Sequence, residues 1–205
     1  MTTPDRISLP RLHAITDERV VRLPSLDATA SALAAAGPVA LHARGHSLSG
    51  REHYDLARRL AAAAPRHLFV NDRADVALAA GAAGVQLSAD GLTPGEARRL
   101  DAGWWIGASV HDLDAARSAR DGGADYLFIG PVFATPTHPE APPLGVAGLA
   151  PYLALGIPVV AIGGIDASNA GSLRRAGVWG VAAIRALWDA PDPVLAARTL
   201  MKEME

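Results

Sequence analysis

The 205-residue sequence contains no cysteine. Disulfides, thiolate-bound metals and a cysteine nucleophile are thereby excluded, and what remains is comfortable in a reducing cytoplasm, where the protein is expected to work. Long hydrophobic runs are missing too: the alanine-rich stretches are broken by Gly, Pro or Arg, and none approaches the ~20 apolar residues of a spanning helix. The first residues, with Asp5 and Arg6, carry no apolar block of the signal-peptide kind. Excess charge is a third absence. The formal net charge of -2 gives no electrostatic reason to expect nucleic acid or an anionic membrane as a partner. No helix offers a His-x-x-x-His zinc pair, no Gly-x-Ser-x-Gly elbow is present, and no dinucleotide-type glycine fingerprint follows the first strand.

What is present is a regular alternation. Half of the residues are apolar and a fifth are charged, as in ordinary globular proteins, and the length suits one domain over residues 1–205. Strand-like runs occur at Leu12 to Thr16, Val39 to Ala43, His67 to Asn71, Gly84 to Leu87, Trp104 to Val110, Asp125 to Gly130, Pro158 to Gly164 and Trp179 to Ile184. Helical patterns separate them, with start signals at Ser25 and at Thr93-Pro94-x-Glu96, and stops at Gly37-Pro38, Gly81, Gly122-Gly123 and Gly177. Eight continuous apolar strands alternating with helices predict an α/β fold of the (β/α)8 TIM-barrel type, in preference to an open doubly wound sheet. The proline-rich segment from Pro131 to Gly145 is long enough to expect a functional loop.

In such a barrel the chemistry sits at the C-terminal ends of the strands. That rule gathers Asp17, Arg44, Asn71, Asp72, Gln86, Ser109, His111, Thr135, Thr137, His138, Gly163, Gly164 and Arg185 on one rim. Gly163, Gly164, Ile184 and Arg185, after the seventh and eighth strands, lie where barrels commonly bind phosphate. Arg44 suits a carboxylate or phosphate. Asp72 reads either as a magnesium ligand or, in preference, as the cap of the helix that follows. Among the histidines, His13, His42 and His67 read as structural and His53 as a helix-surface residue. His111 and His138 remain as rim candidates able to move a proton. Asp112 next to His111 also reads as a plain helix cap.

The ordered motifs Leu12-His13-Ala14-Ile15-Thr16-Asp17, Asn71-Asp72-Arg73, Gly84-Val85-Gln86-Leu87, Gly107-x-Ser109-Val110-His111, Gly130-Pro131-Val132-Phe133-x-Thr135-Pro136-Thr137 and Ile162-Gly163-Gly164-Ile165 resemble the thiamine phosphate synthase superfamily over nearly the whole chain. Within it, the opening and the Ser-Val-His motif are most similar to the thiazole tautomerases. The synthase pattern has Arg-Glu-Lys at Arg44-Gly45-His46, a second magnesium-binding Asp at Gly91, a Lys at His138 and a Ser at Arg185. Fewer charges for diphosphate and magnesium imply a tautomerase. In it, His111 moves a proton on a dihydrothiazole carboxylate phosphate and the ring becomes aromatic. Arg44, Asn71, Thr135, Thr137, Gly163, Gly164, Ile184 and Arg185 would bind this small phosphorylated thiazole, with no metal and no cofactor. The alternatives are thiamine phosphate synthase, joining thiazole phosphate to a pyrimidine diphosphate, and a non-catalytic ligand-binding homologue. Trp179 and Trp188 suit either core packing or a homodimer.

Overall fold

The computed structural model describes residues 7–136 and 140–205. Eight parallel strands, β1 (Leu12–Ile15), β2 (Val39–Ala43), β3 (Leu68–Asn71), β4 (Gly84–Leu87), β5 (Trp105–Val110), β6 (Tyr126–Ile129), β7 (Val159–Ile162) and β8 (Gly180–Ala183), form a closed barrel in sequence order. Closure comes from β8 pairing with β1, Leu12 beside Val181 and Ala14 beside Ala183. The helices around it are α1 (Glu18–Val21), α2 (Leu26–Ala36), α3 (Gly50–Ala63), α4 (Ala74–Ala80), α5 (Pro94–Leu100), α6 (Leu113–Asp121), α7 (Ala150–Leu153), α8 (Ala170–Arg175), α9 (Arg185–Trp188) and α10 (Pro193–Glu203). The single-domain (β/α)8 expectation is met.

Helix starts follow from side-chain oxygens that satisfy otherwise unpaired backbone N–H groups. Ser49 and Thr93 each form a reciprocal capping box, with Glu52 and Glu96. Asp112 caps α6 by accepting the Ala115 N–H at 2.7 Å, and Asp192 does the same for Leu195 on α10. α8 begins after Asn169, whose Oδ1 accepts the Asp166 N–H. Beyond β8 the structure adds α9, a short extra helix ahead of α10, where the sequence shows one closing helix.

Strand alternation sorts the core into two layers. Leu12, Ala14, Leu41, Val70, Val85, Ile106, Leu127 and Val181 face the helices, while Ile15, Ala40, Phe69, Tyr126, Phe128, Val160 and Ala182 fill the barrel. The interior is too narrow for a large side chain at every position. A Cβ at Gly107 would collide with Gln86 Oε1 and the Tyr126 ring, and one at Gly84 would meet Phe69 Cε1 at 2.6 Å. Glycine on β4 and β5 therefore makes room for the aromatic filling. Trp188 is buried, and Trp179 lies 4.4 Å beneath the Arg11 guanidinium, so both indoles are used within the chain and lend no support to a second copy.

Candidate active site

A cavity of about 180 Å³ opens at the C-terminal ends of β2 and β3, lined by Arg44, Gly45, His46, Leu48, His53, Asn71, Asp72 and Arg73. Thr16 fixes its first wall. The Thr16 hydroxyl accepts the Arg44 N–H at 2.9 Å and donates to the Arg44 carbonyl at 2.7 Å, which pins the residue carrying the guanidinium. Arg44 Nη2 touches His46 Nε2, and the His46 and Ser47 N–H groups donate to Glu18 Oε1. Burial acts to raise the Glu18 pKa, but those N–H groups and the nearby His46 outweigh it and hold the carboxylate below its ordinary value.

Two readings of the sequence are corrected here. Asp72 is not a helix cap: α4 follows Arg73 with no side-chain cap, and Asp72 Oδ1 instead accepts the Ser88 N–H at 2.7 Å, tying the end of β3 to the loop after β4. Its backbone sits at φ 60°, the left-handed region that a non-glycine residue enters only at a cost. His53 is not on the helix surface. It is 4% exposed and its Nε2–H donates to the Ala43 carbonyl at 2.9 Å, holding α3 against the end of β2. The signal existed: His53, Leu56, Ala57 and Leu60 share one helical face, and that face is buried.

Beneath the cavity the barrel holds a polar column. His13 Nε2 lies 3.0 Å from the Pro10 carbonyl, His13 Nδ1 2.9 Å from His42 Nε2, and His42 Nδ1 3.1 Å from the Asn71 amide. Both histidines are wholly buried among Phe69, Tyr126 and Phe128. Burial pushes the His13 imidazole down to about 3, against the pull of the Pro10 hydrogen bond. His42 lies well below its ordinary value, through burial first, with the neighbouring His13 and Arg44 also opposing its protonation. Beside Asn71, in register on β4, Gln86 donates to Ser109 Oγ at 2.9 Å while its buried Oε1 has no partner among the described residues.

Gly163 (φ 98°) and Gly164 (φ 66°) form the turn after β7, and a Cβ at Gly164 would strike the Ala134 carbonyl at 2.5 Å. Phe133 N–H donates to the Gly163 carbonyl at 3.0 Å, so the loop after β6 is stitched to this turn. Ile184 and Arg185 stand at the start of α9, the short extra helix that barrels commonly add beside a phosphate. Thr135 lies in the same loop and His111 is exposed beyond the end of β5; Thr137 and His138 lie outside the described residues. A larger cleft of about 470 Å³, with Arg11, Arg174 and Trp179, opens at the opposite end of the barrel, where residues serve stability.

The family model described as thiamine monophosphate synthase matches residues 12–187. The chain belongs to that family. It is 41% identical over 204 residues to the thiamine-phosphate synthase of Salinispora tropica, covering 96% of this chain and 98% of the relative. Identity to the thiamine-phosphate synthase of Thermus thermophilus is 40% over 186 residues, 88% of this chain and 89% of the relative. The thiamine phosphate pyrophosphorylase of Pyrococcus furiosus superposes with a TM-score of 0.82 at 34% identity, covering 95% of both chains.

These family relatives overturn the thiazole tautomerase expectation, and with it the proton-shuttling role given to His111 in that reaction. Inferring a lost reaction from missing charges overlooked what the rim retains. Arg44, His46 and Arg73 border one cavity with Asp72, and magnesium is commonly held by one or two carboxylates plus substrate phosphates, without an all-protein cage.

Proposed function

We propose that the protein is a thiamine-phosphate synthase, a transferase joining a thiazole phosphate to a pyrimidine diphosphate. The observation that carries this reading is the likeness, at about 40% identity along nearly the entire chain, to proteins named for that activity. The thiazole ring nitrogen forms a bond to the methylene carbon of the pyrimidine, and the carbon–oxygen bond to diphosphate breaks, its electron pair leaving with diphosphate. The protein's tasks are to hold the two partners in line and to receive the charge that departs.

Arg44 on one wall, with His46 beside it, and Arg73 on the other are the basic side chains nearest a diphosphate in the cavity. Arg73 is partly engaged by Asp75, at 2.6 Å. Asp72 Oδ1 takes the Ser88 N–H, which leaves Oδ2 for a cation. Among the described residues no three His, Asp or Glu side chains converge on one point, which suits a magnesium ion completed by diphosphate and water. When bound, that ion neutralises charge on the leaving diphosphate. Gly163, Gly164, Ile184 and Arg185 hold the thiazole phosphate, Thr135 flanks it from the loop after β6, and His111 borders the mouth just beyond β5. Both substrates are small, water-soluble phosphates, a reaction suited to the cytoplasm and to no nucleic-acid or membrane partner.

The test is to incubate purified protein with thiazole phosphate, the pyrimidine diphosphate and magnesium and to separate the products by chromatography. Thiamine phosphate and diphosphate should appear in equal amounts, and absence of both would refute the assignment. Asp72→Asn should lower kcat on the order of 10²-fold and raise the magnesium requirement.

A further inference from the structure

The column from Pro10 to Asn71 has a direction, set by counting hydrogens. A carbonyl oxygen only accepts, so the 3.0 Å contact with Pro10 requires a proton on His13 Nε2. With His13 neutral, its Nδ1 is bare, and the 2.9 Å contact with His42 Nε2 requires the proton there to belong to His42. With His42 neutral as well, its Nδ1 is bare and must accept from Asn71. Only the amide nitrogen can donate. The structure sets Asn71 Oδ1 3.1 Å from His42 Nδ1, and the hydrogen count requires the amide to be turned about, with Nδ2–H inward to His42 and Oδ1 outward to the cavity that Asn71 lines.

The opposite amide orientation leaves two lone pairs facing each other somewhere in the column, unless the histidine pair takes up a proton. Phe69, Tyr126 and Phe128 surround the pair, and the guanidinium of Arg44, just beyond β2, opposes a positive charge on His42. Asn71 is 9% exposed, and among the described residues its side chain has no hydrogen bond besides the one to His42. Its neighbour on β4, Gln86, donates its amide N–H to Ser109, and among the described residues its Oε1 makes no hydrogen bond to Asn71 or to any other group.

We propose that His13 and His42 are positioning residues whose neutral, Nε2-protonated tautomers make Asn71 present a hydrogen-bond acceptor, not a donor, to the barrel mouth. Asn71 then recognises an N–H or O–H of the bound ligand, an amino group or a water on a bound cation, and not a phosphate oxygen. This revises the phosphate-binding role expected of Asn71 and rests on the proposed synthase activity only for the identity of the ligand.

Long-range proton–nitrogen NMR of the ¹⁵N-histidine-labelled full chain, without ligand at pH 7, reads the tautomers directly. Both imidazoles should be neutral with the proton on Nε2. A proton on His42 Nδ1, or an imidazolium at either residue, would overturn the proposal whatever the enzyme's activity. In His13→Phe, which keeps a ring among the aromatic neighbours, His42 loses its acceptor, so its proton should move to Nδ1 and the Asn71 amide should turn.

The kinetic consequence is a loss of binding with kcat affected less. Losing one such acceptor is expected to weaken binding about tenfold. A rise in KM for the pyrimidine diphosphate identifies an amino group as the donor, and a rise in half-saturating magnesium identifies a cation-bound water. A folded His13→Phe protein whose His42 proton has moved while neither quantity changes would overturn the recognition role. If the wild-type tautomers are as stated but no turnover occurs, it is the synthase assignment that fails and the positioning that stands.

Discussion

Asp72 and His13 show how single residues carry the site. Among the described residues Asp72 is the one non-glycine with positive φ, a conformation costing on the order of 1 kcal/mol, and what it gains is a carboxylate turned from the α4 start toward the loop after β4. Sequence order alone could not show this, because an Asp before a helix is normally its cap. His13 carries a stability cost of another kind. In the unfolded chain it takes up a proton as pH falls through about 6.5, whereas in the fold it resists until about 3. The unfolded state therefore binds more protons across that window, and stability present above pH 6.5 is lost toward pH 3, by up to about 1.4 kcal/mol per pH unit for each such histidine. The urea midpoint should fall between pH 7 and pH 4.5, and His13→Phe should flatten that slope. An equal slope in the variant would count against a buried, neutral His13.

At the scale of elements, the caps and turns were the most legible parts. Thr93-Pro94-x-Glu96 announces α5 and forms the expected capping box, and Gly81 ends α4 in the left-handed conformation. Thr93→Ala should lower stability by about 1 kcal/mol in urea titration, since it removes the hydroxyl that accepts the Glu96 N–H. The parts that were misread are those whose role is set by a neighbouring element. Asn169, whose side chain accepts the N–H of Asp166 three positions earlier, begins α8. The end of the eighth strand is taken over by α9, because four residues from Arg185 to Trp188 are too few for a helical period to stand out. His53 was legible in principle, since it shares the buried face of α3 with Leu56 and Leu60.

For the whole molecule, closure is the governing fact. Each strand is four to six residues long and none of the sheet has a free edge, since β8 returns to β1. The interior that closure creates is filled by a few large side chains against glycines, so Phe69→Ala, which empties volume next to Gly84, should cost about 3 to 5 kcal/mol by chemical denaturation. A loss below 1 kcal/mol would mean that the barrel interior can collapse around the gap.

The sequence by itself determined the class of fold, the face of the barrel that carries the chemistry and the family. Continuous apolar runs, turn glycines and ordered motifs are local properties of the chain. It did not determine which reaction the rim supports, because counting charges along the chain says nothing of which ones meet. Only the tertiary structure brought Arg44, Arg73 and Asp72 to one cavity and stacked His13, His42 and Asn71, drawn from three strands, into a column. The direction of that column is a property of the closed barrel. Removing two imidazoles from water leaves each donor a single acceptor, and their order is readable only once all the partners are in place.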